Sequence, residues 1–166
     1  MKRIIQIFVL VFIVSYSYSQ NSQLEMKIVS LKTCINNIEL CVKVSNLSNQ
    51  EIAVYYQNID QICSNLMSIR FVDIKSNKFH ILFPCSTVPD LNHIELTKDN
   101  SLLIDAGKSV NVKYLFKKRD IKPDIRRNKT YKVIVGWHFK DIFIKTDLKN
   151  YFNDDIESNY ILFENK

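Results

Sequence analysis

Glycine and proline are scarce in this 166-residue chain, which has 2 glycines and 3 prolines. Flexible linkers and low-complexity segments are rich in these residues, so the composition argues against both. The shortage of glycine also leaves the chain without the G-x-S-x-G turn of many serine hydrolases and without a phosphate-binding loop. Gly107-Lys108-Ser109 lacks the first glycine of a Walker motif and precedes a strand-like run, so we predict a turn there.

Histidine is also rare, and the three histidines do not have the spacing of a zinc motif such as H-E-x-x-H. A mixed zinc site is conceivable, because histidine and cysteine are both good zinc ligands. Its ligands would be His80, His93, Cys63 and Cys85. Cysteines of exported proteins are more often oxidised to disulfides, so we predict no metal and no other cofactor.

The first 20 residues have the layout of a secretory signal peptide. Lys2 and Arg3 precede an apolar run over residues 4–14, and a serine-rich stretch follows it. The run is too short to span a bilayer. We therefore predict a signal peptide at residues 1–19, a single domain over residues 20–166, and a periplasmic or secreted protein that does not span the membrane. An uncleaved N-terminal anchor is the alternative.

The charge balance gives little information about partners. Lysine and arginine outnumber aspartate and glutamate by 23 to 17, which gives a formal charge of +6. Loss of Lys2 and Arg3 with the signal peptide would lower this charge to +4. An excess of this size does not by itself indicate a nucleic-acid partner.

Four cysteines in an exported chain favour two disulfides, because the compartment is oxidising. Cys34 and Cys41 flank a predicted hairpin turn at Asn36-Asn37, whereas Cys63 and Cys85 both lie in turn-like sequence. Three pairings are possible, and we predict Cys34–Cys41 with Cys63–Cys85. Closing the second loop should stabilise the fold by about 3 kcal/mol.

Residues 130–139, with the sequence T-Y-K-V-I-V-G-W-H-F, have the clearest strand pattern in the chain. Apolar residues alternate along one face, which includes the single tryptophan, Trp137. His138 falls on the other, less apolar face, where a hydrogen-bonded or exposed histidine is expected. We predict that this strand is central in its sheet and that Trp137 anchors the core.

Shorter runs with the same two-residue period predict the other strands. They lie at residues 24–31, 38–44, 51–57, 67–73, 79–83, 101–104, 109–116 and 159–164. We expect the first three to form a meander, and residues 85–100 to form the longest irregular loop. Residues 141–145 are predicted to extend the central strand or to pair back on it, and residues 147–155 to hold a short helix.

Four segments combine a strand with a polar turn. They are V-K-V-S-N-L-S-N-Q-E-I-A-V-Y at residues 42–55, L-L-I-D-A-G-K-S-V at 102–110, T-Y-K-V-I-V at 130–135 and S-N-Y-I-L at 158–162. Together these motifs resemble small bacterial immunoglobulin-like domains, of the kind typified by the intracellular proteinase inhibitor family. The resemblance implies an all-β, immunoglobulin-like antiparallel sandwich of about seven to nine strands with minor helix. It implies no functional residue, because each motif marks a turn.

A basic segment at residues 117–129 connects two predicted strands and contains Asp120 and Asp124 as its only acids. The candidates for partner contact are Lys117, Lys118, Arg119, Arg126 and Arg127. Clusters of this kind bind acidic proteins and polyanions. No aromatic residue is interleaved with them to stack on bases, so a nucleic acid is not predicted as partner. The alternative is a solvated loop without a binding role.

These observations favour an exported, non-catalytic binding module. Its predicted partner is a protein or a polyanionic component of the cell envelope. Small sandwiches without a nucleophile motif usually present loops to a partner, and residues 85–100 and 117–129 have the length or charge to do so. The alternative is a metal-dependent or hydrolytic enzyme of the cell envelope whose residues the sequence does not reveal.

Overall fold

The computed structural model describes residues 23–88, 91 and 93–165, which form an all-β fold with two short 3-10 helices. The predicted signal peptide lies outside the described residues. The strands are β1 (Leu24–Thr33), β2 (Asn37–Asn46), β3 (Ile52–Tyr55), β4 (Met67–Asp73), β5 (Phe79–Leu82), β6 (His93–Glu95), β7 (Ser101–Ile104), β8 (Ser109–Lys117), β9 (Ile121–Lys122), β10 (Lys129–Trp137), β11 (Phe143–Lys145), β12 (Ile156–Glu157) and β13 (Ile161–Asn165). The 3-10 helices span Ile59–Ser64 and Lys118–Asp120. None of the described helices has the length and apolar character needed to cross a membrane.

Two antiparallel sheets pack face to face. The small sheet has the order β1-β2-β8, and the large sheet has the order β12-β10-β4-β5-β9, with β13 also paired to β10. Phe71 of β4 meets Phe116 of β8 edge to face, with the ring centroids 6.3 Å apart. Trp137 of β10 donates a 3.1 Å hydrogen bond from Nε1 to the Tyr114 hydroxyl of β8. The hydrophobic core therefore lies between the two sheets.

Strand β10 is central in the large sheet, as its alternation predicts. It pairs with β4 from Tyr131 to Trp137, and β13 and β12 share its other edge. The predicted inward residues of this strand are fully buried, including Trp137. Burial also raises the pKa of Tyr114, an effect that the hydrogen bond from Trp137 partly offsets. The prediction that Trp137 anchors the core is confirmed.

Most other predicted strands are present, with bounds close to the expected ones. β4 and β7 have the predicted limits, and β5 returns from β4 as its hairpin partner. The described residues form more strands than the predicted seven to nine, because the short strands β6, β9, β11 and β12 are added to the predicted ones. Two short pairs form sheets of their own. These pairs are β3–β7, which is antiparallel, and β6–β11, which is parallel.

Three predicted elements are wrong in detail. Strand β11 neither extends β10 nor pairs back on it, because it pairs with β6. Strand β6 lies within residues 85–100, so the prediction that this whole segment is irregular is also wrong. Residues 147–155 contain no helix. Tyr151 instead forms an isolated parallel bridge with Ala53, and this contact holds the segment extended beside β3.

The predicted meander of the first three strands is also wrong, because β2 pairs with β1 and β8 while β3 pairs with β7. The buried side chain of Asn46 accounts for the change of direction. Its Nδ2 donates to the carbonyls of Gln50 and Ile104, and its Oδ1 accepts the N–H of Ser48. These bonds turn the chain away from the small sheet before β3 begins. Alternation predicts the faces of a strand but not its neighbours.

One of the two predicted disulfides is present. Cys63 and Cys85 are bonded, with their Cα atoms 5.6 Å apart. The predicted pair Cys34–Cys41 is wrong, since Cys34 is free and exposed and Cys41 is free and buried. The hairpin register sets Cys41 opposite Ser30, whereas Cys34 lies four residues further along at the turn. That offset is about 13 Å along a strand, well beyond the reach of a disulfide.

Candidate interaction surface and neighbouring groove

A group of apolar side chains lies on the outer face of the large sheet, on the side away from the core. Phe79 of β5 is 62% exposed, and Leu162 of β13 is 60% exposed. An antiparallel sheet that faces water usually carries polar residues there. We call this surface the apolar face, and its members are Val72, Ile74, Phe79, Ile81, Ile134, Tyr160 and Leu162.

The register of the strands makes the apolar face continuous. Residues that lie opposite each other on neighbouring strands have side chains about 5 Å apart. One row across the sheet consists of Leu162, Lys132, Val72 and Phe79. The next row consists of Ile134, Arg70, Ile81 and Lys122. Lys132 and Arg70 separate the apolar residues within their rows, so the apolar groups adjoin each other diagonally, as Ile134 does with Leu162 and Val72.

Three cations lie among these apolar side chains. Arg70 forms an ion pair with Glu157, and Lys122 forms one with Asp124. The Nζ atom of Lys132 lies 4.9 Å from the centroid of the Tyr160 ring, within the range of a cation–π contact. The apolar face is therefore crossed by positive charge, part of which is neutralised locally.

The basic segment runs along one edge of the same sheet. It leaves β8, forms β9 beside Ile81, and ends where β10 begins. Among the predicted contact residues, Lys118 is half-buried and the other four are exposed: Lys117, Arg119, Arg126 and Arg127. Arg119 approaches Asp120 at 3.8 Å, whereas no described residue forms an ion pair with Arg126 or Arg127.

Buried polar groups anchor the basic segment to the sandwich. The Tyr131 hydroxyl accepts a 2.8 Å hydrogen bond from the Arg126 N–H. Asn165 donates from Nδ2 to the carbonyl of the same arginine. His80 approaches the Pro123 carbonyl at 2.6 Å through Nδ1. The backbone of the segment is therefore anchored to the edge of the large sheet at Pro123 and Arg126.

The mixed zinc site that the sequence allows is not assembled. Cys63 and Cys85 are joined to each other, so neither supplies a thiolate. His80 is 7% exposed and its ring packs edge-on against Tyr131, which makes it part of the anchor just described. Across residues 23–88, 91 and 93–165 there is no cluster of three or more side chains suited to a metal.

Lys129, the last cation of the basic segment, belongs to the fold. Its ammonium donates to Asp73 Oδ2, while Oδ1 of the same aspartate accepts the N–H groups of Lys75 and Ser76. The Lys129 hydrogen bond, followed by those from Ser76 and Lys75, holds the pKa of Asp73 well below its usual range. This pair joins β4 to the start of β10.

A groove of about 470 Å³ lies where β10 ends, lined in part by His138 and Asp155. The Ser68 hydroxyl oxygen is 2.9 Å from His138 Nε2, and Asp155 Oδ2 is 3.9 Å from His138 Nδ1. Gly136 leaves the space for this arrangement, because a Cβ there would lie 2.9 Å from both the Ser68 hydroxyl and the imidazole. A serine, a histidine and an aspartate are thus brought together beside an open groove.

Sequence analysis missed both regions. In F-H-I-L-F at residues 79–83, apolar residues occupy both faces of the strand, and this pattern could have indicated an exposed apolar surface. Gly136 lies inside the strongest strand, where a glycine often marks a close approach of other groups. Ser68 and Asp155 carry no local signal, because strand pairing and a distant turn bring them to His138.

No protein-family model matches the chain, and no curated protein matches it. Two solved structures of a β-glucosidase from Kluyveromyces marxianus are similar to it. The complex with glucose is 14% identical, with a TM-score of 0.38 over 86% of this chain. The selenomethionine-labelled form is 15% identical, with a TM-score of 0.39 over 83% of this chain. This chain spans 15% of the length of each β-glucosidase, and a likeness of this size carries no argument about function.

Proposed function

We propose that the protein is an exported binding module that contacts its partner through the apolar face of the large sheet. The observation that carries this proposal is the group of solvent-facing apolar side chains on β13, β10, β4 and β5, where Phe79, Ile81 and Leu162 are exposed and Val72 and Ile134 lie between them. Apolar groups cost free energy when they face water, and contiguous patches mark interaction sites in soluble proteins. An aromatic residue such as Phe79 is typical of the residues that dominate binding energy.

Two observations support export. The first residues have the charge, apolar run and serine-rich stretch of a signal peptide. The Cys63–Cys85 disulfide fits an oxidising compartment, because cytosolic thiols are normally kept reduced. Mass spectrometry of the protein from its producing cell tests this part of the proposal. A mature chain that starts near Gln20 is expected, and recovery of the intact leader from the cytoplasm would contradict it.

The partner is a protein that presents apolar side chains together with acidic ones. The apolar face would pack against the apolar side chains of the partner. The acidic side chains of the partner would face Arg126 and Arg127 at the edge of this face and Lys132 within it, since no described carboxylate neutralises these cations. A polyanionic sugar would use the cations and leave most of the apolar groups in contact with water, so a protein fits better.

A capture experiment with matched variants tests this function. The mature chain is immobilised and exposed to an envelope extract, alongside a face variant, Phe79→Ser with Leu162→Ser. The control is Leu115→Ser, because Leu115 is 64% exposed on the outer face of the small sheet. Wild type and control should retain the same stoichiometric protein, and the face variant should lose it.

A second variant separates the basic segment from the apolar face. Lys117, Lys118, Arg126 and Arg127 are changed to glutamate, which keeps the apolar groups intact. Charge at the rim of an interface mainly affects association rate and salt dependence, so we expect weaker capture that no longer responds to added salt. Unchanged capture would remove the basic segment from the interface. Unchanged capture by the face variant would overturn the proposal itself.

A further inference from the structure

The groove at the end of β10 contains groups that the binding proposal does not use. Nucleophilic catalysis by serine requires a base within hydrogen-bond reach and a third group that orients the base. We propose that Ser68, His138 and Asp155 form such a site, and that it hydrolyses small esters whose carbonyl lies at Ser68, next to the groove that His138 and Asp155 line. The proposal is independent of the apolar face and adds an activity to the protein.

The distances assign a role to each side chain. Ser68 Oγ and His138 Nε2 are 2.9 Å apart, which allows direct transfer of the hydroxyl proton. Asp155 Oδ2 lies 3.9 Å from the other ring nitrogen, Nδ1. A carboxylate on that side favours the tautomer that carries its proton on Nδ1, which leaves the Nε2 lone pair free for the serine. At this distance the carboxylate acts on the ring through its charge and not through a hydrogen bond.

Gly136 indicates that the arrangement is specified by the sequence. It is one of two glycines in the chain, and the other, Gly107, lies in a turn with a φ of +66°. At Gly136 the requirement is space, since any Cβ would contact the imidazole and the Ser68 hydroxyl at 2.9 Å. A glycine in the interior of a strand weakens it, so this position gives up strand stability and admits the serine–histidine contact.

The backbone of the same region holds the aspartate in place. Asp155 Oδ1 accepts hydrogen bonds from the N–H groups of Phe139, at 3.0 Å, and Lys140, at 3.1 Å. Oδ2 is then directed to the histidine. Because Phe139 and Lys140 directly follow His138, the acid is fixed to the chain segment that carries the base.

The lining of the groove defines the substrate class. Leu91 and Ile142 supply an apolar wall, whereas Asp141 and Asp155 supply negative charge. The carboxylates disfavour an anionic substrate, so we expect an uncharged or cationic ester with a short apolar acyl group.

The reaction is acyl transfer in two steps. Ser68 Oγ attacks the ester carbonyl and its proton passes to His138 Nε2, which returns that proton to the departing alcohol as the C–O bond breaks. A water molecule then attacks the acyl-serine, with His138 as base. The products are the free acid, the alcohol and regenerated Ser68, so the reaction consumes water and needs no other reactant.

Labelling with a fluorophosphonate probe tests the site on the whole mature protein. We expect one adduct per chain, located on Ser68 by peptide mass spectrometry and absent from Ser68→Ala. His138→Gln should slow labelling by roughly 100-fold or more, because the base is lost. The control is Ser109→Ala, whose hydroxyl contacts Ser45 at 3.0 Å in the small sheet, and it should label at the wild-type rate.

Ester hydrolysis completes the test. Para-nitrophenyl acetate should be hydrolysed with saturation kinetics by wild type and Ser109→Ala, and only at the background rate by Ser68→Ala. A purely structural role for the Ser68–His138 contact would leave Ser68 unlabelled in the native protein, and that result overturns the proposal. Labelling at the same rate in wild type and His138→Gln overturns it as well. The face variant should label normally, so failure of this site and failure of the binding proposal are distinguishable.

Discussion

The outer faces of the two sheets differ in chemistry, although both are on the solvent side of the same sandwich. On the small sheet the outward positions of β1, β2 and β8 are mostly polar, as at Lys27, Lys43 and Lys113, and Glu25 pairs with Lys27. Leu115 is the large exposed apolar residue among the outward positions of β8. On the large sheet, five outward positions of β4, β5, β10 and β13 are apolar and lie near one another: Val72, Phe79, Ile81, Ile134 and Leu162.

This difference shows which apolar surfaces the fold requires and which it does not. The inner faces of both sheets are apolar because they form the core, and the small sheet shows that this sandwich tolerates a polar outer face. Exposed apolar strands promote aggregation, so soluble proteins usually limit them. The fold does not require the exposed apolar residues of β5 and β13, and this is the basis of the proposed interaction surface.

The largest expected effect is a difference in stability between variants on the inner and outer sides of the large sheet. Trp137→Ala should lower the free energy of unfolding by about 3–5 kcal/mol, because the ring is fully buried in the core. Phe79→Ala should change it by about 0.5 kcal/mol or less, because the ring is mostly exposed. Urea denaturation of the purified variants measures both values. A large loss in Phe79→Ala would mean that this residue serves the fold, and the contrast between the sides would fail.

A smaller expected effect is a difference in dye binding between the outer faces of the two sheets. A dye that fluoresces on exposed apolar surface should bind the native protein, and the variant Phe79→Ser with Leu162→Ser should lose most of that signal. Leu115→Ser on the small sheet should keep it, since Leu115 has polar neighbours. Equal loss in both variants would show that the dye, and by extension a partner, does not distinguish the two faces.

The smallest expected effect is on the stability of the protein at acidic pH, and it is tested on one ion pair from each sheet. The folded pKa of Asp73 lies below the value of about 3.9 expected in the unfolded chain. The stabilisation from this group is therefore complete above the unfolded value and is lost as the pH falls from there through the lower pKa of the folded state. Asp73→Asn should flatten the acid side of the stability profile, whereas Glu25→Gln, which alters an exposed pair, should leave its shape unchanged. A profile as steep in Asp73→Asn as in wild type would contradict this assignment.

Local patterns predicted the strands that have one apolar face. The alternation around Trp137 identified both the central strand and its buried side, because burial of one face imposes a period of two residues. Partner choice was not predictable in the same way. Asn46 turns β3 away from β2 through hydrogen bonds to residues as distant as Ile104, and nothing near Asn46 in the sequence indicates that partner.

The cysteines show the same limit. Cys63 and Cys85 could be paired from their turn-like surroundings. Whether Cys34 can reach Cys41 depends on the register of the hairpin, which the sequence does not reveal. The candidate sites depend even more on long-range pairing. Ser68 reaches His138 across 70 residues, and Phe79 lies in line with Leu162 only after four strands have assembled. Site residues of this type become visible only in the folded chain.

Photo-crosslinking from one position on each outer face tests the interaction surface most directly. A benzophenone amino acid replaces Phe79 in one sample and Leu115 in another, and each purified protein is irradiated in an envelope extract. Both positions are exposed, so neither replacement should disturb the fold. We expect one discrete crosslinked protein from position 79 and none from position 115. No discrete product from position 79, or the same products from both positions, would contradict the account.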